Sequence, residues 1–149
     1  DNQMKTITAA LLAASLASPL WAGGETASNP DAQVYFVNIQ DGDTFVSPVK
    51  VVFGLSGMGV APAGTEKENT GHHHLLIDRP PLGQGEDGVD ELSNGIMSDE
   101  HHKHFGGGQT ETVIDLEPGQ HTLQLVLGDL GHVPHSTPIV SEVITIVIE

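Results

Sequence analysis

From residue 34 onwards the chain is cut into short apolar and β-branched runs by Gly, Pro and Asp, and no stretch repeats its apolar residues with a sustained helical period. The pattern therefore predicts an all-β domain. Strands are expected at 34–38, 49–56, 72–78, 111–116, 121–127 and 139–148, with room for a seventh near 101–105. Pro48 is tolerated at the start of the second. Asp41-Gly42-Asp43 and Glu117-Pro118-Gly119 read as turns, and 139–148 reads as a near-continuous strand buried between neighbours. Six or seven such strands suit a two-sheet antiparallel sandwich of about 100 residues.

Two connections are too long for simple turns, 57–71 and 79–100, the second running on through 101–110. Structureless loops beyond about 12–15 residues are usually functional or disordered. The second holds Glu86, Asp87, Asp90, Glu91, Asp99 and Glu100 against Arg79 alone. It reads as a solvated acidic lid, or as a weak calcium site, although the spacing does not match the alternating oxygen ligands of a calcium loop. Gly106-Gly107-Gly108 lacks the Lys-Ser/Thr of a phosphate-binding loop and reads as a hinge.

Ahead of the domain, residues 4–22 carry Lys5, an apolar stretch over 7–16 and a Pro-containing segment ending in Ala22, the pattern of a secretory signal peptide. Asp1, Asn2 and Gln3 precede its Met4. On this reading 1–22 is the leader, 23–32 a polar linker and 33–149 the domain, and the protein is periplasmic or secreted. Nothing in the mature chain approaches the 18 or so consecutive apolar residues of a membrane-spanning helix.

Charge and composition restrict the partners. Five Lys and Arg stand against 20 Asp and Glu in 149 residues, a formal charge of −15. A polyanion of this kind repels phosphate backbones and anionic headgroups and attracts cations. The absence of cysteine excludes disulfides, thiolate zinc sites and iron–sulfur clusters, leaving imidazole and carboxylate as ligands.

All nine histidines lie between 72 and 135, in three groups and one singleton. Strand alternation at 72–78 puts His73, Leu75 and Ile77 on one face, the core face. His72, His74, Leu76 and Asp78 share the other, polar face. His72 and His74 then project together with Cα atoms about 6.5–7 Å apart, a rigid partial chelate. His102 and His104 repeat the arrangement with Lys103 pointing away, and His132 and His135 are spaced by a proline-stiffened turn. If these groups meet at one end of the sandwich, three or four neutral imidazoles make a site for Cu(II) or Zn(II). His121 shares an apolar face with Leu123, Leu125 and Leu127 and reads as a structural histidine at the core's edge. The bland reading of the whole set is a solvated, pH-responsive surface.

Two resemblances add to this. Asp41-Gly42-Asp43-Thr44 with Ser47-Pro48-Val49-Lys50-Val51, and Leu116-Glu117-Pro118-Gly119-Gln120-His121-Thr122-Leu123, are similar to bacterial immunoglobulin-like domains. The segments GHHHLLID at 71–78, HFGGGQTET at 104–112, HTLQLVLGD at 121–129 and HVPH at 132–135 resemble an uncharacterised family of small exported bacterial proteins. That resemblance implies export and an immunoglobulin-like β-sandwich, and supplies no reaction.

The first expectation is thus an exported protein that binds copper or zinc through His72, His74, His102, His104, His132 and His135, for sequestration or delivery. Asp78, Asp99, Glu100 and Asp129 are expected to raise the local cation concentration and to bond the outer imidazole nitrogens. A second expectation is an interaction module that binds an envelope protein at its sheet edge or acidic loop. A third is a metalloenzyme of superoxide dismutase or hydrolase type, although the chain lacks a His-Glu-x-x-His helix, a Gly-x-Ser-x-Gly elbow and any cysteine.

Overall fold

Alternating apolar residues pair into sheets where one face of each strand can be buried against the next layer. In the computed structural model, which describes residues 23–149, they form nine strands and one helix. The strands are β1 (Gln33–Phe36), β2 (Thr44–Phe45), β3 (Val49–Ser56), β4 (Gly59–Val60), β5 (Thr70–Ile77), β6 (His102–His104), β7 (Glu111–Ile114), β8 (Gly119–Gly128) and β9 (Ile144–Ile148). Helix α1 (Gly88–Asn94) lies between β5 and β6. The leader expected at 1–22 lies outside the described residues. No helix among the described residues is long and apolar enough to cross a membrane.

The chain is an all-β, two-sheet protein. One sheet has the order β1-β3-β7 and is antiparallel throughout. The other has the order β2-β9-β8-β5-β4, with β6 also paired to β5. Its interior pairings are antiparallel, and the two-residue pairings of β2 with β9 and β4 with β5 are parallel. Val34, Val51, Phe53, Leu75, Leu123, Leu125 and Ile146 form the main core, to which β3, β5, β8 and β9 all contribute.

Two expectations are corrected. The run 139–148 is not one strand. Val140 makes a single bridge to Val126, and the Ser141 hydroxyl accepts the Leu125 amide at 2.8 Å, replacing a backbone acceptor before the ladder resumes at Ile144. Segment 79–100 is not a structureless lid. It contains α1, and its Leu82 and Ile96 pack with Leu76 and Val126 in a second, smaller core on the outer face of the larger sheet. A helix of seven residues spans two turns, too few for a period to show in the sequence.

Because of this cover, β5 is buried on both faces and His72, His73 and His74 are all almost fully enclosed. His73 lies on the inner face as expected, its ring centroid 5.0 Å from that of Phe53. Neither of its ring nitrogens has a hydrogen-bond partner among the described residues. Burial pushes its pKa down to about 4 from the ordinary 6.5. The unfolded chain therefore takes up this proton first as the pH falls, and stability is lost between about pH 6.5 and 4. His73→Leu should match the parent's stability at pH 7.5 or exceed it by up to about 3 kcal/mol, since an unpartnered buried polar ring is replaced by a packed apolar one. It should also remove on the order of 3 kcal/mol of the acid-induced loss. Urea denaturation in chelator at pH 7.5 and 4.5 checks both, and an unchanged acid slope would refute the assignment.

Candidate metal centre

Register brings the histidines together. In an antiparallel ladder, residues directly opposite one another share a face. His74 stands opposite Val126 of β8 and His104 of β6, Leu76 stands opposite His102, and His72 stands opposite Gly128. The outer face of β5 and β6 therefore carries His72, His74, His102 and His104 side by side, beneath segment 79–100. The expected polar face exists as a buried pocket of imidazoles instead of a solvated surface.

His132 reaches the same place from the turn after β8. His72 Nε2 lies 2.9 Å from His132 Nδ1 and 2.8 Å from His74 Nε2. Ligand nitrogens of His72, His74 and His132 lie within 4.8 Å of one another. His74 Nδ1 is 2.8 Å from His102 Nε2, and His102 Nδ1 is 2.7 Å from the Met97 carbonyl oxygen.

These contacts fix the protons. A carbonyl only accepts, so His102 Nδ1 carries the hydrogen and, the ring being neutral, its Nε2 is bare. His74 Nδ1 then donates to it, leaving His74 Nε2 bare and facing His72 and His132. His72 Nε2 touches both His74 Nε2 and His132 Nδ1, and only one of those two contacts can be a linear hydrogen bond. The three residues could together hold a metal ion.

The electrostatics favour neutral rings. Burial, reinforced by the neighbouring imidazoles, pushes His74 down to about 2. His72 falls to about 4, by burial first and then by His132 and His104. Burial also lowers His102, against the raising effect of its bond to Met97. Neutral imidazole is the form that ligates.

His104 sits at the rim. It is exposed, its ring centroid is 5.0 Å from that of His132, and its Nδ1 is hydrogen-bonded to the Ser98 hydroxyl. Asn94, Ile96, Met97, Ser98, His104 and His132 line a cleft of about 250 Å³ opening onto the group. His135 is placed apart from the triad, fully buried with Nε2 3.4 Å from the Thr70 carbonyl oxygen.

The carboxylates are used elsewhere. Asp78 turns away at the end of β5, with φ of 54°, and accepts from His121 Nδ1 at 2.6 Å and from the Thr122 amide at 2.9 Å. That bond raises the pKa of His121, whose Nε2 reaches the Glu117 carbonyl oxygen at 2.6 Å, so His121 clamps a strand end. Asp99 accepts the His101 amide, and Glu100 lies 3.7 Å from His101 Nε2. Asp129 shapes the turn that carries His132: its Oδ1 accepts the amides of Gly131 at 2.8 Å and Val133 at 3.0 Å.

Gly128 supplies the space, a role the sequence reading missed. A Cβ there would stand 2.4 Å from His74 Nε2, whereas one at Gly131 would meet nothing closer than Asp129 Oδ1 at 3.6 Å. A glycine directly opposite a His-x-His strand is the signal that would have found it. Gly128→Ala should displace the His74 ring and cost about 1–3 kcal/mol in urea denaturation, with Gly131→Ala close to the parent. Equal stability of the two variants would refute the close fit.

No curated protein and no solved structure matches the chain. A family model, the domain of unknown function DUF4399, matches residues 51–149, a stretch that contains all nine histidines. The imidazole cluster therefore lies wholly within a recognised domain, and the chain belongs to the DUF4399 family.

Proposed function

We propose that the protein binds one divalent transition metal ion, copper or zinc, through His72 Nε2, His74 Nε2 and His132 Nδ1, and that it serves to sequester or deliver that ion outside the cytoplasm. The observation that carries this reading is the convergence of the three nitrogens with His74 held in the ligating tautomer. Nitrogens sharing a tetrahedral ion at 2.0–2.1 Å stand about 3.3 Å apart. The present contacts of 2.8 and 2.9 Å need to open by only about half an ångström. A nitrogen-only set suits Cu(II) and Zn(II) and disfavours calcium and magnesium, which take oxygen.

Two further features support the assigned role. The cleft at His104 and His132 gives the ion a route to and from solvent, as sequestration or delivery requires. Export is supported by the leader-like pattern of 4–22, and N-terminal sequencing of protein from a periplasmic fraction tests it.

Metal content by mass spectrometry on tag-free protein, followed by titration of the chelated protein with copper and with zinc, tests the centre. The expected result is one equivalent, weakened at least about tenfold in His132→Asn, whose amide suits the left-handed backbone at that position. Binding should persist unchanged in His121→Ala and His135→Ala. A protein that takes up neither ion would overturn the proposal.

A further inference from the structure

His132, the one triad member outside the sheet, sits at φ of 66°, a left-handed backbone that a non-glycine residue holds only when its surroundings impose it. The surroundings are specific. Asp129 Oδ1 takes the amides on either side of His132, the Asp129 amide donates to the Val133 carbonyl at 2.8 Å, and the His132 amide donates to the Asp129 carbonyl at 3.1 Å. The remaining carboxylate oxygen, Oδ2, accepts the Thr26 hydroxyl at 2.7 Å across 103 residues of chain.

Thr26 is itself held. Of residues 23–32, expected as a linker, 23–28 run along the segment after His132. The Gly23 amide donates to the Ser136 carbonyl at 3.0 Å, the Gly24 amide to the Pro134 carbonyl at 2.8 Å, and the Ser136 amide to the Thr26 carbonyl at 2.8 Å. The approach is close enough that a Cβ at Gly23 would lie 1.9 Å from the His135 carbonyl oxygen, and one at Gly24 2.6 Å from Val133 Cγ1. This strap lies outside the stretch 51–149 matched by the family model.

We propose that Thr26 is a positioning residue of the metal centre: its hydroxyl orients Asp129, and Asp129 holds the turn that aims His132 Nδ1 at His72 and His74. The inference rests on the metal-binding reading above and adds that residues 23–26 are part of the functional unit. A carboxylate with both oxygens engaged is held against rotation, so the hydrogen bonds it accepts from the Gly131 and Val133 amides keep the turn in place. With the hydroxyl removed, Oδ2 is released, the turn relaxes towards ordinary backbone, and the third ligand is lost from its place.

The test compares the full-length parent, Thr26→Val, which keeps the shape and removes the donor, and Thr26→Ser, which restores the donor. Cu(II) and Zn(II) affinities, the visible spectrum of the copper form, the melting temperature of the chelated protein, and amide exchange at Gly131 and Val133 are read for each. The expected result is a loss of affinity of about tenfold or more in Thr26→Val, with an altered copper spectrum and faster exchange at the two amides. The melting temperature should stay within a few degrees of the parent. Thr26→Ser should return affinity and spectrum to within about twofold of the parent. Parent-like metal binding in Thr26→Val overturns the positioning role while leaving the centre in place. A parent that binds neither ion overturns the centre and the positioning role with it.

Discussion

Strand β5 is enclosed on both faces, yet three of its eight residues are histidines. Burying an imidazole without a partner costs about 1–3 kcal/mol, so the fold must either pair these rings or bear the cost. On the outer face it pairs them. The line from the Met97 carbonyl through His102 to His74 occupies both nitrogens of His102 and one of His74, while burial disfavours the protonated forms of both rings. Segment 79–100 has to lie where it does for the line to exist, because Met97 supplies the terminal acceptor while Leu82 and Ile96 close the face beside it. The cover is braced internally by the Arg79–Glu91 ion pair and tied to β8 by the Leu82 amide bound to Gln124 Oε1 at 3.0 Å.

The inner face treats its histidine differently. His73 packs on Phe53 with both nitrogens unpartnered, a standing cost that the main core outweighs. Two adjacent imidazoles of one strand thus differ in kind: one lies in an apolar layer with both nitrogens unpartnered, and the other belongs to a connected polar group. The pleat produces that division, since successive side chains leave the strand on opposite faces.

That division was legible in the sequence. Alternation separated His72 and His74 from His73, and the spacing of His102 and His104 placed them on a common face. The histidine at 121 was recognisable as structural from the leucines that share its strand. The solvent exposure of the cluster was not legible, because it depends on a cover whose helix is too short to show a period and whose acidic residues suggest a solvated loop. Nor was the split between His132 and His135 legible. Both flank Val133-Pro134, and only the Asp129-anchored turn, with its left-handed residue, decides that the first faces the triad and the second turns towards Thr70. Local hydrogen bonds of a single carboxylate leave no periodic trace.

The arrangement combines two kinds of ligand support. His72 and His74 are fixed by strands paired over their length, so little conformational entropy remains to be lost when an ion binds. His132 is held by a turn near the cleft, where a few hydrogen bonds define its position and their loss would release it. A triad fixed by strands alone would hold an ion with no means of exchange, and one carried by loops alone would forfeit affinity in ordering its ligands. On the metal-binding reading proposed above, two rigid imidazoles in an unprotonated pocket and one on a clasped turn at the rim would combine retention with a route for release. The surplus of 15 negative charges concentrates cations around the molecule before any ligand is engaged.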